Sequence, residues 1–279
     1  MREVIKKLVY KILEKSLILT NKERDEVELK KKLKNIIPDL THQYSTVSID
    51  MNNSYVVNKM RGQHTFQMSL ALKAVSLLTE KKDVINIVDI GDSSGSHMIY
   101  LDHLLEGKTN TLSVNIDPIA VDKIKAKGLN ALLCPAEELH LHKNGMKADI
   151  FLSYQMLEHL FNPIDFLHSM AEKSSCEYFA ITVPYVYRSR VALNVVKYNQ
   201  LEKTHPAEKT HVFEFSPADW DLIFQFSGWE IIYQDKYTQY PKSWPFHFTK
   251  YIWRKFDFDG FYGVILKKND KYSKKYLDW

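Results

Sequence analysis

The segment Val88-Asp89-Ile90-Gly91-Asp92-Ser93-Ser94-Gly95-Ser96-His97 passes from an apolar run through a turn with two glycines into a helical pattern. Glycine at such a turn gives the backbone access to positive φ and lets a ligand approach the main chain closely. The amino terminus of the following helix adds outward-facing N–H donors. The spacing is GxxxG, not the GxGxxG of dinucleotide binders, and the P-loop lysine is absent. A nucleoside-linked carboxylate therefore suits this turn better than a phosphate.

Outward from it, Val84–Ile90 is a short, nearly continuous apolar run, the mark of a strand buried on both faces of a parallel sheet. Similar runs recur at Thr111–Ile116, Asn130–Leu133, Ile150–Ser153 and Tyr178–Val183. Helical stretches separate most of them: Ser96–Leu105, Ile119–Lys127 closed by Gly128, and Pro163–Glu172 with Asn162 as N-cap. This alternation predicts βαβ units in an α/β, Rossmann-like fold with helices on both faces of the sheet. The rhythm breaks over 184–215, a segment with several tyrosines and the basic pair Arg188 and Arg190. It resumes with Ser216 as N-cap, Pro217 opening a helix to Ser227, and Gly228 closing it. Strands at about Glu230–Gln234 and Phe261–Lys267, with no helix read between them, predict an antiparallel pair at one sheet edge. The interruption falls where ligand-covering loops sit, beyond the carboxyl ends of the strands.

At 279 residues, 45% hydrophobic and 26% charged, with only 9 Gly and 9 Pro, the chain has a globular composition that excludes disorder and low complexity. Cys134 and Cys176 are far apart and outside any CxxC, which excludes a disulfide framework and a thiolate-rich metal site and fits a reducing cytoplasm. No run reaches the roughly 18 apolar residues of a membrane span, and the amino terminus lacks a signal-peptide pattern, so a soluble protein is expected. The net charge of +4 is uneven. Residues 1–35 hold 11 basic against 6 acidic side chains and residues 250–275 hold 8 against 3, so the middle is acidic. No broad basic face remains for a nucleic acid.

From Val4 to Leu17 the apolar residues fall at helical spacing with lysines between them. A basic helix of this kind within 1–20 suits an anionic membrane surface or a partner. Docking on the protein's own core accounts for the same pattern and is preferred. Asn21–Lys34 reads as an exposed helix or linker, and a helix is predicted over Gln63–Leu78 with Phe66, Leu70, Ala74, Leu77 and Leu78 on one side. The expected organisation is a helical extension, 1–82, before a main domain, 83–279, with a substrate-side insertion at 184–215. The aromatic group Trp244, Phe246, Phe248, Tyr251 and Trp253 is expected to be mostly core.

Asp117 ends the second strand, 26 residues beyond Gly91. A carboxylate there accepts hydrogen bonds from ribose hydroxyls, and can also cap the helix that Pro118 opens. With this pair in place, four blocks resemble class I S-adenosylmethionine-dependent methyltransferases of the broad group that carries an LEH motif: VDIGDSSGSH, SVNIDP, the Cys134–Leu139 loop CPAEEL, and ADIFLSYQMLEHLFNP. FSPADWDLIFQFSGWEII is a weaker fifth match, and the resemblance spans about Val84–Lys267. It implies a seven-stranded, mostly parallel sheet with a reversed last strand and S-adenosylmethionine as cofactor. It further implies cofactor contacts from Asp89, Gly91, Ser93, Gly95, Asp117, Pro118, Ala136, Glu137, Ser153 and Gln155. Three positions depart from the family pattern. Ser93 stands for the usual middle glycine, and Pro135 for an acid that binds adenine, which shifts that contact to Ala136 and Glu137. Gln155 stands where some relatives have the first carboxylate of a metal-binding ExxEH run, so no metal is expected.

Methyl transfer from a sulfonium is an in-line displacement, so the protein must position the acceptor and, for a hydroxyl, take its proton. A histidine near neutral pKa suits that task. His159, after the fourth strand, is the first candidate and His211 the second; Tyr185, Tyr187, Arg188, Arg190 and Tyr198 are candidate acceptor contacts, while His97 reads as structural. The expected activity is O-methylation of a small molecule or glycan. A non-catalytic cofactor-binding scaffold is the alternative, and a nicotinamide oxidoreductase would need the missing GxGxxG.

Overall fold

The computed structural model describes residues 2–45, 48–79, 81–143, 145–192, 210–256 and 259–275. Three helices, α1 (Arg2–Glu23), α2 (Val27–Ile36) and α3 (Ser54–Ser76), precede the first strand. The predicted alternation follows as β1 (Ile85–Ile90), α4 (Ser96–Leu104), β2 (Thr109–Asn115), α5 (Pro118–Ala126), β3 (Ala131–Leu133), β4 (Ile150–Tyr154), α6 (Pro163–Lys173) and β5 (Tyr178–Tyr185). A two-residue antiparallel pair, β6 (Arg190–Val191) with β7 (Phe213–Glu214), leads to α7 (Pro217–Phe226), β8 (Trp229–Thr238), α8 (Lys250–Phe256) and β9 (Gly260–Lys268).

Seven strands form one sheet in the order β3-β2-β1-β4-β5-β9-β8. The five from β3 to β5 are mutually parallel, and β9 runs antiparallel to both β5 and β8. The reversed last strand is thus inserted between β5 and β8, and β8 is the edge. One expectation fails here: α8 and a short 3-10 turn separate β8 from β9. Two helical turns inside an aromatic stretch are too short to register as a period.

Side chains alternate across the strands into two cores. Ile85, Ile87, Ile150, Leu152 and Ala180 face α3 and α4, while Val88, Phe151, Phe179 and Ile181 face α6 and α7. Both faces are covered, which is why these strands read as continuous apolar runs. The α3 residues Met68, Leu70, Ala71, Ala74 and Val75 belong to the first of these cores, so residues on either side of position 82 pack together. α3 starts nine residues earlier than its periodicity predicts, with Asn53 Oδ1 accepting the Val56 N–H at 3.3 Å. Leu77, expected on the apolar side, is 38% exposed because the helix has already ended at Ser76.

α1 docks on the chain itself. Leu13 and Leu17 are buried against Tyr240 and Trp253, and Ser16 Oγ links Trp253 Nε1 (3.0 Å) to the Gln239 carbonyl (2.9 Å). Of the aromatic group expected in the core, Trp253 is buried, but Trp244 is 88% exposed and Phe248 and Tyr251 lie at the surface. No helix among the described residues is long and apolar enough to cross a membrane.

A polar chain ties α3 to β1 through α4. Gln67 Oε1 lies 3.2 Å from His97 Nε2, and His97 Nδ1 lies 2.8 Å from Asp89 Oδ2, with all three side chains buried. Burial pushes the Asp89 carboxyl up to about 6, only partly opposed by His97. Burial alone would lower His97, but the adjacent carboxylate outweighs it and raises the imidazole. Buried His64, edge-on to His97 at 5.6 Å, is held well below its ordinary value by burial and by its charged neighbours.

Two tests follow from this packing. A Cβ on Gly263 of β9 would meet Phe66 Cζ of α3 at 2.7 Å. Gly263→Ala is expected to cost about 1–3 kcal/mol in urea denaturation, and much less when Phe66 is also shortened to Leu. For Asp89 and His97 the folded state holds protons more tightly than the unfolded chain, so their contribution to stability is present at low pH and lost as pH rises, for Asp89 through about 6 and for His97 above its ordinary range. His64 works in the opposite sense, gaining stability as pH rises. The comparison is therefore made against Asp89→Asn. Wild-type stability minus that of the variant should fall between about pH 4 and pH 6.5, and a flat difference would show that this carboxyl titrates normally.

Candidate functional site

The turn between β1 and α4 is shaped by two glycines and one carboxylate. Gly91 has φ +94° and a Cβ there would lie 2.8 Å from Met156 Cγ, while Gly95, at φ +75°, caps α4. Asp92 is buried and turned inward: Oδ1 accepts from the Ser94 N–H (3.0 Å) and the Gly95 N–H (2.8 Å), and Oδ2 accepts from Ser113 Oγ on β2 (2.7 Å). Two donors expected to face outward are thus satisfied within the turn. A ligand phosphate at these groups would have to compete with a fixed negative charge.

Ser93 and Ser96 are engaged by a residue the sequence reading missed. Ser93 Oγ donates to the Gln43 carbonyl (2.9 Å) and Ser96 Oγ to Gln43 Oε1 (2.8 Å). Lys123 of α5 holds the same segment through the Tyr44 carbonyl at 2.7 Å. Gln43 lies in an irregular stretch between α2 and α3, where no periodic pattern could mark it.

The other predicted cofactor residues are ordered along one edge of the sheet. Because β1 to β4 are parallel, their carboxyl ends share that edge, the place where α/β sheets bind ligands. Asp117 follows β2, half-buried, and its Oδ1 caps α5 by accepting the Ile119 N–H at 2.9 Å. A carboxylate has acceptor capacity beyond that one bond, so capping leaves room for a ribose hydroxyl. Pro118 opens α5 and is exposed. After β3, half-buried Ala136 and exposed Glu137 begin a 3-10 turn. On β4, Ser153 is fully buried with no hydrogen-bond partner for its hydroxyl. Gln155, just past β4, has φ +57°, a conformation costly for a residue with a Cβ, and is held there by its N–H bond to the Thr182 carbonyl at 2.8 Å. Asp89 lies beneath the turn, with its carboxylate engaged by His97.

A second cluster starts two residues beyond Met156, the side chain packed against Gly91. Leu157–His159 form one 3-10 turn, and residues 210–214 cross it. The Val212 N–H donates to the Glu158 carbonyl (2.6 Å), and His159 Nδ1 meets the Thr210 carbonyl (3.0 Å). This brings together the two histidines predicted separately: their rings are 4.8 Å apart, nearly perpendicular at 88°. His211 Nδ1 lies 2.6 Å from Glu214 Oε1, and Arg190 Nε donates to Glu214 Oε2 at 2.7 Å. Burial disfavours charge on both groups, but the pairing prevails, raising His211 and lowering Glu214. The same turn carries Glu158, fully buried, with no hydrogen-bond partner for either oxygen among the described residues and its carboxyl pushed up to about 7 by burial.

Sequence reasoning did not single out Glu214. It is a polar residue three positions from His211, a spacing that becomes a signal only once the β6–β7 pair is known. Arg190, a candidate acceptor contact, pairs with Glu214. Arg188 is exposed, Tyr187 is 71% exposed and Tyr185 is half-buried at the end of β5. Tyr198 lies outside the described residues.

No protein-family model matches the sequence, and no curated protein matches it. Solved structures do resemble the fold. A putative sarcosine dimethylglycine methyltransferase from Galdieria sulphuraria superposes with a TM-score of 0.54 at 11% identity, covering 78% of this chain and 88% of that one. The [4+2]-cyclase SpnF gives 0.52 at 11% identity over 75% and 82%. Magnesium protoporphyrin IX methyltransferase from Synechocystis PCC 6803, solved with bound S-adenosylmethionine, gives 0.50 at 11% identity over 86% and 90%. With its strand order and its single reversed strand, the chain has the class I S-adenosylmethionine-dependent methyltransferase fold.

Proposed function

We propose that the protein is an S-adenosylmethionine-dependent methyltransferase that methylates an oxygen of a small molecule or glycan. The observation that carries this reading is the continuity of two half-sites. Gly91 and Asp117 lie along one sheet edge with Ala136 and Gln155, and Met156 leads from Gly91 directly to Glu158, His159 and His211.

The cofactor residues fit such a ligand. Asp117 retains acceptor capacity for the ribose, Gly91 and Gly95 keep the main chain approachable for the methionine end, and Ala136 with Glu137 lies beside the expected adenine position. Pro118 fixes the start of α5, and with it the direction of Asp117. Asp89 and Ser93 act through the turn, since their polar atoms are committed to His97 and Gln43. Ser153 and Gln155 close the β4 side. When bound, the cofactor supplies an electrophilic methyl group on a good leaving group.

The chain must then align the acceptor and take its proton. Glu214 accepts from His211 Nδ1–H, which leaves the lone pair on Nε2, the nitrogen that can receive a hydroxyl proton. Thr210 orients His159 in the same way. Two buried free thiols suit a reducing cytoplasm, and the acidic middle of the chain suits a small acceptor better than a nucleic acid.

Asp117→Ala is expected to weaken S-adenosylhomocysteine binding roughly 10- to 100-fold by calorimetry, the loss of one or two charge-assisted bonds. His211→Ala should leave that affinity nearly unchanged while removing labelled-methyl incorporation into a metabolite or glycan extract. Unchanged affinity in the first variant removes the ribose assignment. Unchanged incorporation in the second removes the histidine from the chemistry.

A further inference from the structure

We propose that the outward side of α1 and the aromatic segment around the start of α8 form one surface that docks on an anionic lipid bilayer. On α1 the side opposite buried Leu13 and Leu17 carries Leu8, Lys11, Lys15, Ile18 and Lys22, spaced three and four residues apart and all exposed. Segment 242–249 lies along the same helix. Glu23 accepts the Lys242 N–H (2.7 Å) and the Ser243 N–H (3.0 Å), and Lys15 Nζ sits 4.9 Å from the centre of the Phe246 ring. Close by, Trp244 is 88% exposed, and Phe248 and Tyr251 are exposed as well. Three large aromatic side chains in water within eight residues call for a partner in a chain that buries Trp220, Trp229 and Trp253.

Charge selects the partner. Residues 236–256 include five basic and no acidic side chains. On α1, Glu14 Oε1 accepts from Asn58 Nδ2 (3.2 Å) and Glu23 holds the 242–243 backbone, so the exposed stripe carries lysines and no acid. Lysine is depleted at protein–protein interfaces. Lysines alternating with Trp, Tyr, Phe and Leu instead fit the headgroup level of a bilayer, where aromatic bodies enter the boundary with the acyl chains and ammonium groups stay with the phosphates. Each lysine held near an anionic leaflet adds to the attraction. Core docking and membrane contact, the two readings of this helix, use opposite sides of it. Leu13, Ser16 and Leu17 stay on Tyr240 and Trp253 while the lysine stripe meets the lipid.

The test uses the full chain with vesicles of phosphatidylcholine alone or mixed with phosphatidylglycerol, read by co-sedimentation and tryptophan emission. Binding to the mixed vesicles with a blue shift, and release at high salt, are expected. Trp244→Ala should weaken binding about tenfold, and the pair Lys11→Gln with Lys22→Gln by a similar factor. Lys81→Gln with Lys108→Gln removes the same charge from exposed positions that lead into β1 and β2, and should bind as the wild type does. All these side chains are exposed, so unchanged thermal midpoints report an intact fold. No binding to the mixed vesicles overturns the proposal. Equal weakening by the two lysine pairs does so too, since net charge alone would then account for the attraction, and so does wild-type binding by Trp244→Ala. A dimer in ultracentrifugation that Trp244→Ala abolishes, without vesicle binding, would assign the face to a second copy of the chain instead.

Discussion

The carboxylate of Asp92 sets the shape on which the candidate site depends. A turn between a buried strand and a helix must satisfy its own N–H groups with little help from water, and each one left unmet costs about 1–3 kcal/mol. Asp92 meets two of them and also receives Ser113 from the neighbouring strand, so the turn is fixed both internally and to β2. That brace explains how the usual middle glycine can be replaced. With the turn held from inside, Ser93 points the other way and uses its hydroxyl to hold Gln43. The departure from the family pattern thus has a structural counterpart in a segment that precedes the sheet.

What could be read in the sequence follows from what each element is buried against. Strands covered on both faces leave a local mark, the apolar run, and β1, β2, β4 and β5 were all found by it. Helices with a proline at the first position and a capping side chain, such as α6 after Asn162 and α7 after Ser216, were found to within a residue or two. α3 began earlier than expected because its first two turns, around Ser54–Arg61, show no single apolar side. α8 was missed because two turns carry no period. Local pattern has no access to contacts between distant segments, and that is where Gln43, Glu214 and the meeting of His159 with His211 belong.

The fold by itself leaves the chemistry open. Two methyltransferases and a [4+2]-cyclase resemble this chain to similar degrees, so one scaffold supports reactions of different kinds. Methyl transfer is therefore supported by the sheet edge together with the histidine pair next to it. A histidine whose far nitrogen is held by a carboxylate, which is itself held by Arg190, has a fixed tautomer and orientation. Packing alone would not require that relay.

Among the described residues, the candidate site's buried side chains without a hydrogen-bond partner, Ser153 and Glu158, lie on β4 and in the turn just after it. On the cofactor side, Asp89, Asp92, Ser93 and Ser96 each have defined partners within the chain. After β4, the fully buried Glu158 has none, although the turn that carries it is firmly tied through its carbonyl to Val212. A native fold leaves few buried polar groups unpaired, because each one lowers stability without improving packing. Where the surrounding backbone is this well anchored, poor local packing does not explain the unpaired carboxylate.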